Sequence, residues 1–180
     1  MSTNTRIGYQ LGMEFADKVI ETLQPFCARI EVAGSLRRKK ATIGDIELVL
    51  IPHPQTDLFD NPSHIKQYDY MALVNTLTTN GYKFVKNGFM YKQVLHPSGL
   101  VAVDLFITTP EKWGCVFTIR TGSAEFSHRL VTPKNLGGLC PSNLKFREGR
   151  LINGDNVLET PEESDVFTAL GIEWIEPENR

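Results

Sequence analysis

Cysteine is scarce in this chain. Cys27, Cys115 and Cys140 are three, an odd number, and far apart. No Cys-x-x-Cys pair or Cys/His cluster has zinc spacing, so each cysteine reads as a small buried hydrophobe. No apolar run approaches the ~20 residues needed to span a bilayer. The first residues lack the basic-then-apolar layout of a signal peptide. Asn61-Pro62-Ser63 has Pro where glycosylation forbids it. Repeats and low-complexity segments are missing. These absences predict a soluble, intracellular protein in the cytoplasm, with no membrane partner.

Excess positive charge is missing too. The net charge is −2, which looks wrong for a nucleic-acid binder. Its distribution is more informative. Residues 155–180 hold eight acids against one Arg, and residues 1–154 hold eighteen Lys and Arg against thirteen acids. An acidic tail therefore masks a mildly basic body, able to make a few phosphate contacts. Apolar residues make up 41% and charged residues 22% of 180 residues. That composition suits one globular domain, or a domain with a small lobe, and excludes disorder.

Apolar side chains at helical spacing, Leu11, Phe15, Val19 and Leu23, predict an amphipathic helix over 8–26. Short strands are expected at 30–33 and at 45–51, the second turning continuously apolar as a buried central strand does. Residues 52–70 read as a surface loop, and 71–79 as a short helix. Three β-rich runs at 82–86, 89–95 and 101–108, separated by turn signals, predict an antiparallel meander. Helices follow at 110–120 and 123–130, a loop at 132–143, a hairpin at 144–152 around Glu148-Gly149, and a helix at 161–170. Helices and mostly antiparallel strands in this order indicate an α+β fold, with a break near residue 108.

The chemistry is concentrated in residues 32–51, VAGSLRRKKATIGDIELVLI. Gly34 permits close backbone approach, and Ser35 offers a hydroxyl at an expected helix N-terminus. Arg37 and Arg38 follow within a turn and can reach phosphate oxygens. Asp45 and Glu47, at i and i+2 of a strand, share one face, while Ile46 and Leu48 point to the core. Asp104 repeats the logic in VAVDLFIT, with Val103 and Leu105 on the opposite face. Carboxylates at the mouth of a buried strand are costly unless they pair or bind cations. Taken singly, Gly-Ser is a turn, the basic run a solvated patch, and Asp-x-Glu an ion-pair site. Their joint spacing points to a triphosphate site and to three acids around two divalent ions, if the two strands are neighbours.

RIEVAGSLRRKKATIGDIELVLI resembles the active-site signature of the family X DNA polymerases, the DNA polymerase beta class of nucleotidyltransferases. The likeness continues at 103–106, 110–114 and 120–126, at 144–151, and from 162 to 177. It implies an α+β nucleotidyltransferase palm over residues 1–108, with a mixed or antiparallel sheet, and a small C-terminal nucleotide-selecting lobe, thumb or fingers, over 109–180. It implies that Asp45 and Glu47 hold both metals, and that Asp104 holds the catalytic one and accepts the primer 3′-hydroxyl proton. Gly34, Ser35, Arg37 and Arg38 would bind the triphosphate. Thr121, Gly122 and Ser123 would shape the sugar pocket, and Arg120 and Arg129 would contact DNA or the nascent base pair. The cofactors implied are two Mg²⁺ ions, or Mn²⁺. The partners implied are gapped or primer-template DNA and deoxynucleoside triphosphates, with the protein a monomer.

The chain departs from the family at Glu47, where Asp is usual, and at Ile119-Arg120, where an aromatic pair is usual. The second departure predicts poor ribose discrimination. The short upstream segment predicts no lyase activity, and the compact form suits a viral source, hence a host cytoplasm. Three functions remain open at this point: a small gap-filling or primer-extending DNA polymerase, a nucleotidyltransferase acting on a small molecule, RNA or protein, and a non-enzymatic binding module with a worn site.

Overall fold

The computed structural model describes residues 5–54 and 70–180. The first half contains β1 (Ile7–Gly8), α1 (Tyr9–Leu23), β2 (Cys27–Val32), α2 (Gly34–Arg37), β3 (Thr42–Ile43) and β4 (Asp45–Pro52). These are followed by α3 (Tyr70–Thr79), β5 (Lys83–Asn87), β6 (Tyr91–Leu95) and β7 (Ala102–Ile107). The second half contains α4 (Trp113–Thr121), α5 (Ala124–Val131), β8 (Leu144–Arg147), β9 (Arg150–Asn153), β10 (Asn156–Leu158) and α6 (Glu163–Leu170). The fold is α+β. The expected loop over 52–70 lies almost wholly outside the described residues; β4 itself runs on to Pro52.

A five-stranded sheet in the order β2-β4-β7-β6-β5 organises the first half. It is mixed: β4 and β7 run parallel, and every other neighbouring pair is antiparallel. The expected meander is present as β5-β6-β7. The parallel β4–β7 contact needs a crossover, and α3 lies in it. One face of the sheet carries the main core. Ile46, Leu48 and Leu50 of β4 and Val103, Leu105 and Ile107 of β7 pack there with Phe15, Ala16, Val19 and Leu23 of α1 and Leu73 and Leu77 of α3.

The opposite face holds a smaller apolar cluster in which Val49, Ile51 and Phe106 meet Trp113 and Phe117 of α4. A separate core, including Phe126, Leu130, Leu151, Val166, Phe167 and Leu170, fills the second half. There the expected hairpin closes through Glu148 and Gly149, both at positive φ, as a tight two-residue turn requires. A third strand, β10, extends it. The sequence reading omitted that strand, because Asn156–Leu158 is too short to show a period. The helix expected over 110–120 starts with a 3-10 turn at Pro110–Lys112 before α4. All three cysteines are free and buried. Burial pushes the Cys27 thiol up to about 12 and that of Cys115 to about 11, so both stay protonated. Among the described residues, no helix is long and apolar enough to cross a membrane.

Candidate active site

Strand register brings the acids together. Glu47 of β4 stands directly opposite Asp104 of β7, and Asp45 is one pleat away on the same face. Gln93 of β6 is opposite Asp104 on its other side. Asp104, 9% exposed, accepts two hydrogen bonds on Oδ1, from Tyr91 Oη at 3.0 Å and Gln93 Nε2 at 2.9 Å. Burial and the neighbouring Asp104 push the Tyr91 phenol up to about 12, which keeps it a donor. Burial, then the charges of Asp45 and Asp104, raise the Glu47 carboxyl to about 7. Asp45 is raised by the same causes, burial first and then Asp104. None of the salt bridges among the described residues includes any of the three acids.

These groups share a face without closing into a cage. Among the described residues, no three His, Cys, Asp or Glu side chains are gathered closely enough to hold an ion. Asp104 is held by Tyr91 and Gln93, and Glu47 folds back over Gly34. A Cβ on Gly34 would overlap the Glu47 carboxylate, and Gly34 sits at φ +58°. The expected ligand approach at Gly34 is thus, in this structure, an approach by Glu47. The donor set still suits hard divalent cations: three carboxylates, uncompensated by direct ion pairs, on adjacent strand ends.

The adjoining turn is shorter than its sequence suggests. Helix α2 has four residues and no side-chain cap, so it carries little of the N-terminal dipole on which the reading of Ser35 drew. What it offers is unpaired polar groups. Ser35 Oγ and Arg38 Nε are buried without a hydrogen-bond partner, and buried donors in a native fold are ordinarily satisfied. Arg38 Nη1 donates to the Thr121 carbonyl at 2.6 Å, while its Nε has no partner. An anion with several acceptor oxygens would satisfy both groups.

Arg37 does not join them. Successive helical residues diverge by about 100°, and Arg37 turns to the second half of the chain. Its Nη1 donates to Thr121 Oγ1 and its Nη2 pairs with Glu163, each at 2.6 Å. Its guanidinium lies 3.9 Å from the centre of the Phe117 ring. Arg37, expected to reach phosphate, faces Thr121 and Glu163 in this structure.

Thr121, Gly122 and Ser123 form the joint between α4 and α5. Thr121 is buried and holds both arginines. Gly122 has no room for a Cβ, which would lie 2.5 Å from Phe126 Cδ1. Ser123 Oγ caps α5 by accepting from Phe126 N at 3.2 Å. Arg129 is exposed on α5. Arg120, at the end of α4, stands 3.9 Å over the Phe106 ring, on the acid-bearing face.

Two partners of the site escaped the sequence reading, Tyr91 and Gln93. Their i, i+2 spacing puts them on one strand face, but only the β6–β7 register shows that this face is the one with Asp104. Glu163 was missed also. It binds Arg37 and the buried Arg180 together, a contact across 126 residues in one case that local pattern cannot reveal.

Residues 118–180 match the family model of the DNA polymerase beta thumb. Over 166 residues the chain is 29% identical to DNA polymerase lambda of Rattus norvegicus, a match covering 82% of this chain and 28% of that polymerase. By both matches the chain is similar to family X polymerases. It spans little more than a quarter of the length of that relative. The thumb match takes in α5, the β8–β10 sheet and α6. The acid-bearing sheet lies before it, in the part of the chain that the wider match to a family X polymerase reaches.

Proposed function

We propose that this chain is the nucleotidyl-transferring part of a small DNA polymerase, with a palm over residues 1–108 and a nucleotide-selecting lobe over 109–180. The single observation that carries the reading is the row of Glu47 opposite Asp104, with Asp45 beside them, next to the unpaired Ser35 Oγ and Arg38 Nε. Asp45, Glu47 and Asp104 are assigned to hold two divalent ions, Mg²⁺ or Mn²⁺. Such ions, when bound, supply Lewis-acid stabilisation of the phosphoryl oxygens and ease ionisation of the attacking hydroxyl.

Ser35 and Arg38 bind the triphosphate of a deoxynucleoside triphosphate. Asp104 Oδ1 is occupied by Tyr91 and Gln93, which leaves Oδ2 to take the proton of a primer 3′-hydroxyl. The 3′-oxygen then bonds to the α-phosphorus, the α–β bridging bond breaks, and pyrophosphate leaves. Tyr91 and Gln93 fix the rotamer of that acid, so it needs little reorganisation. A thumb-type second half favours a polymer acceptor such as gapped or primed DNA over a small molecule. We further infer that the chain acts as a monomer.

The test is extension of a gapped primer with labelled deoxynucleotides in Mg²⁺ or Mn²⁺. Template-directed addition that vanishes in Asp104→Asn is expected. Nucleotide transfer to other acceptors with none to DNA would overturn the polymerase reading.

A further inference from the structure

Arg120 is exposed and lies over an aromatic ring. It lies in the last turn of α4, its guanidinium carbon 3.9 Å from the centre of the Phe106 ring. Phe106 is two residues past Asp104 on β7 and is opposite Val49, two residues past Glu47 on β4. Residues at i and i+2 share a face and lie about 6.6 Å apart, so the perch of Arg120 is one pleat from the acids. Tyr91 fixes the ring as well as the acid. It stacks on Phe106, centres 5.2 Å apart and planes 22° apart, while its hydroxyl donates to Asp104.

The other arginines here are held elsewhere: Arg38 by the Thr121 carbonyl and Arg37 by Glu163. Among the described residues, no carboxylate is within ion-pair distance of Arg120 and no acceptor takes its hydrogen bonds. Its charge already opposes the upward shift of Glu47.

The geometry points to Arg120 as a resident counter-cation of the acidic face, perched on Phe106, that competes with divalent ions for Glu47 and Asp104 and sets the free-ion concentration the site requires. This rests on the proposed reading of those acids as ion ligands. A fixed positive charge one pleat away repels a divalent ion and partly neutralises its ligands. A triphosphate brings enough negative charge to outweigh it. Ions therefore enter chiefly with the nucleotide, and the nucleotide-free site binds them weakly.

The experiment is a Mn²⁺ titration of the protein without DNA or nucleotide, counting free ion by electron paramagnetic resonance and following the rise in Tm. Arg120→Gln is expected to bind Mn²⁺ roughly three- to tenfold more tightly than wild type, from simple charge repulsion at this range. Arg120→Lys, which keeps the charge, is expected to stay close to wild type, and Asp104→Asn to bind more weakly. Binding weakened by Asp104→Asn but unchanged or loosened by Arg120→Gln overturns this inference alone. Binding insensitive to both substitutions overturns the ion-ligand reading and this inference with it.

Discussion

Asp104 uses its two oxygens differently, and that division makes a clean test. Asn retains an acceptor for Tyr91 and Gln93, so Asp104→Asn should fold normally by circular dichroism. It removes an ion ligand and the proton acceptor together. Single-turnover extension of a gapped primer should fall at least ~10²-fold, the low end for removal of a general base. Wild-type rates from the folded variant would leave the resemblance as one of fold only. Glu47 makes the opposite prediction for stability. Its folded value, about 7, exceeds the ~4.3 of an unfolded chain, so the native state binds the extra proton between them. Stability from this group is present below the unfolded value and is lost as pH rises through about 7. Glu47→Gln should therefore raise the Tm of the ion-free protein at pH 8 by several degrees and change it little at pH 4. A thermal melt at the two pH values checks this; equal shifts would contradict it.

At the scale of elements, α6 is fastened to α2 and β2 by charge. Glu163 joins Arg37 and Arg180, whose side chain is fully buried. Beside it Arg29 forks onto Glu162 at 2.7 and 3.0 Å and lies over the Trp113 ring. Removing one member of a buried network leaves its partners charged and unpaired, a loss of about 3–5 kcal/mol. Glu163→Ala should therefore lower stability by that order in urea unfolding, whereas Glu162→Ala, at an exposed pair, should cost about 1 kcal/mol or less. Comparable costs at the two positions would show that Arg180 finds another partner. Gly34 is the second sensitive point: at φ +58°, with Glu47 against it, Gly34→Ala should destabilise by about 1–3 kcal/mol. The same substitution should displace the Glu47 carboxylate, read as altered Mn²⁺ affinity.

Across the whole molecule the charge is divided by sequence position, and the acidic stretch partly folds back onto basic residues. Glu162 and Glu163 meet Arg29 and Arg37, and Glu178 meets Lys39. The acids of the second half thus serve in part as a seam between halves. DNA binding should be weak and strongly salt-dependent, because only a modest positive balance is present over residues 1–154. Fluorescence anisotropy with a gapped duplex at ~50 and ~200 mM salt checks it, with at least a tenfold loss expected if several phosphates are contacted. An affinity indifferent to salt would contradict a phosphate-driven footprint.

Period and composition were enough to determine the longer elements, though not short strands such as β10. The 3.6-residue repeat of Leu11, Phe15, Val19 and Leu23 and the polar-to-apolar turn in DIELVLIP are local facts, and the helix and central strand follow from them. So does the identity of the three acids, since an i, i+2 pair at a strand mouth is visible in one dimension. Pairing was not local. That Glu47 faces Asp104 depends on β4 and β7 being parallel neighbours, and strand register is set by burying one whole face against α1 and α3. The direction of each arginine was equally out of reach: RR reads as two equivalent phosphate ligands, yet a single helical step of about 100° sends Arg37 to Glu163 and leaves Arg38 beside the acids. Arg120 shows the same limit, because its place over Phe106 exists only once α4 has packed across the sheet. Side-chain type is written in the sequence; which charges become neighbours is decided by packing, since contacts between residues distant in the chain form only when the layers close.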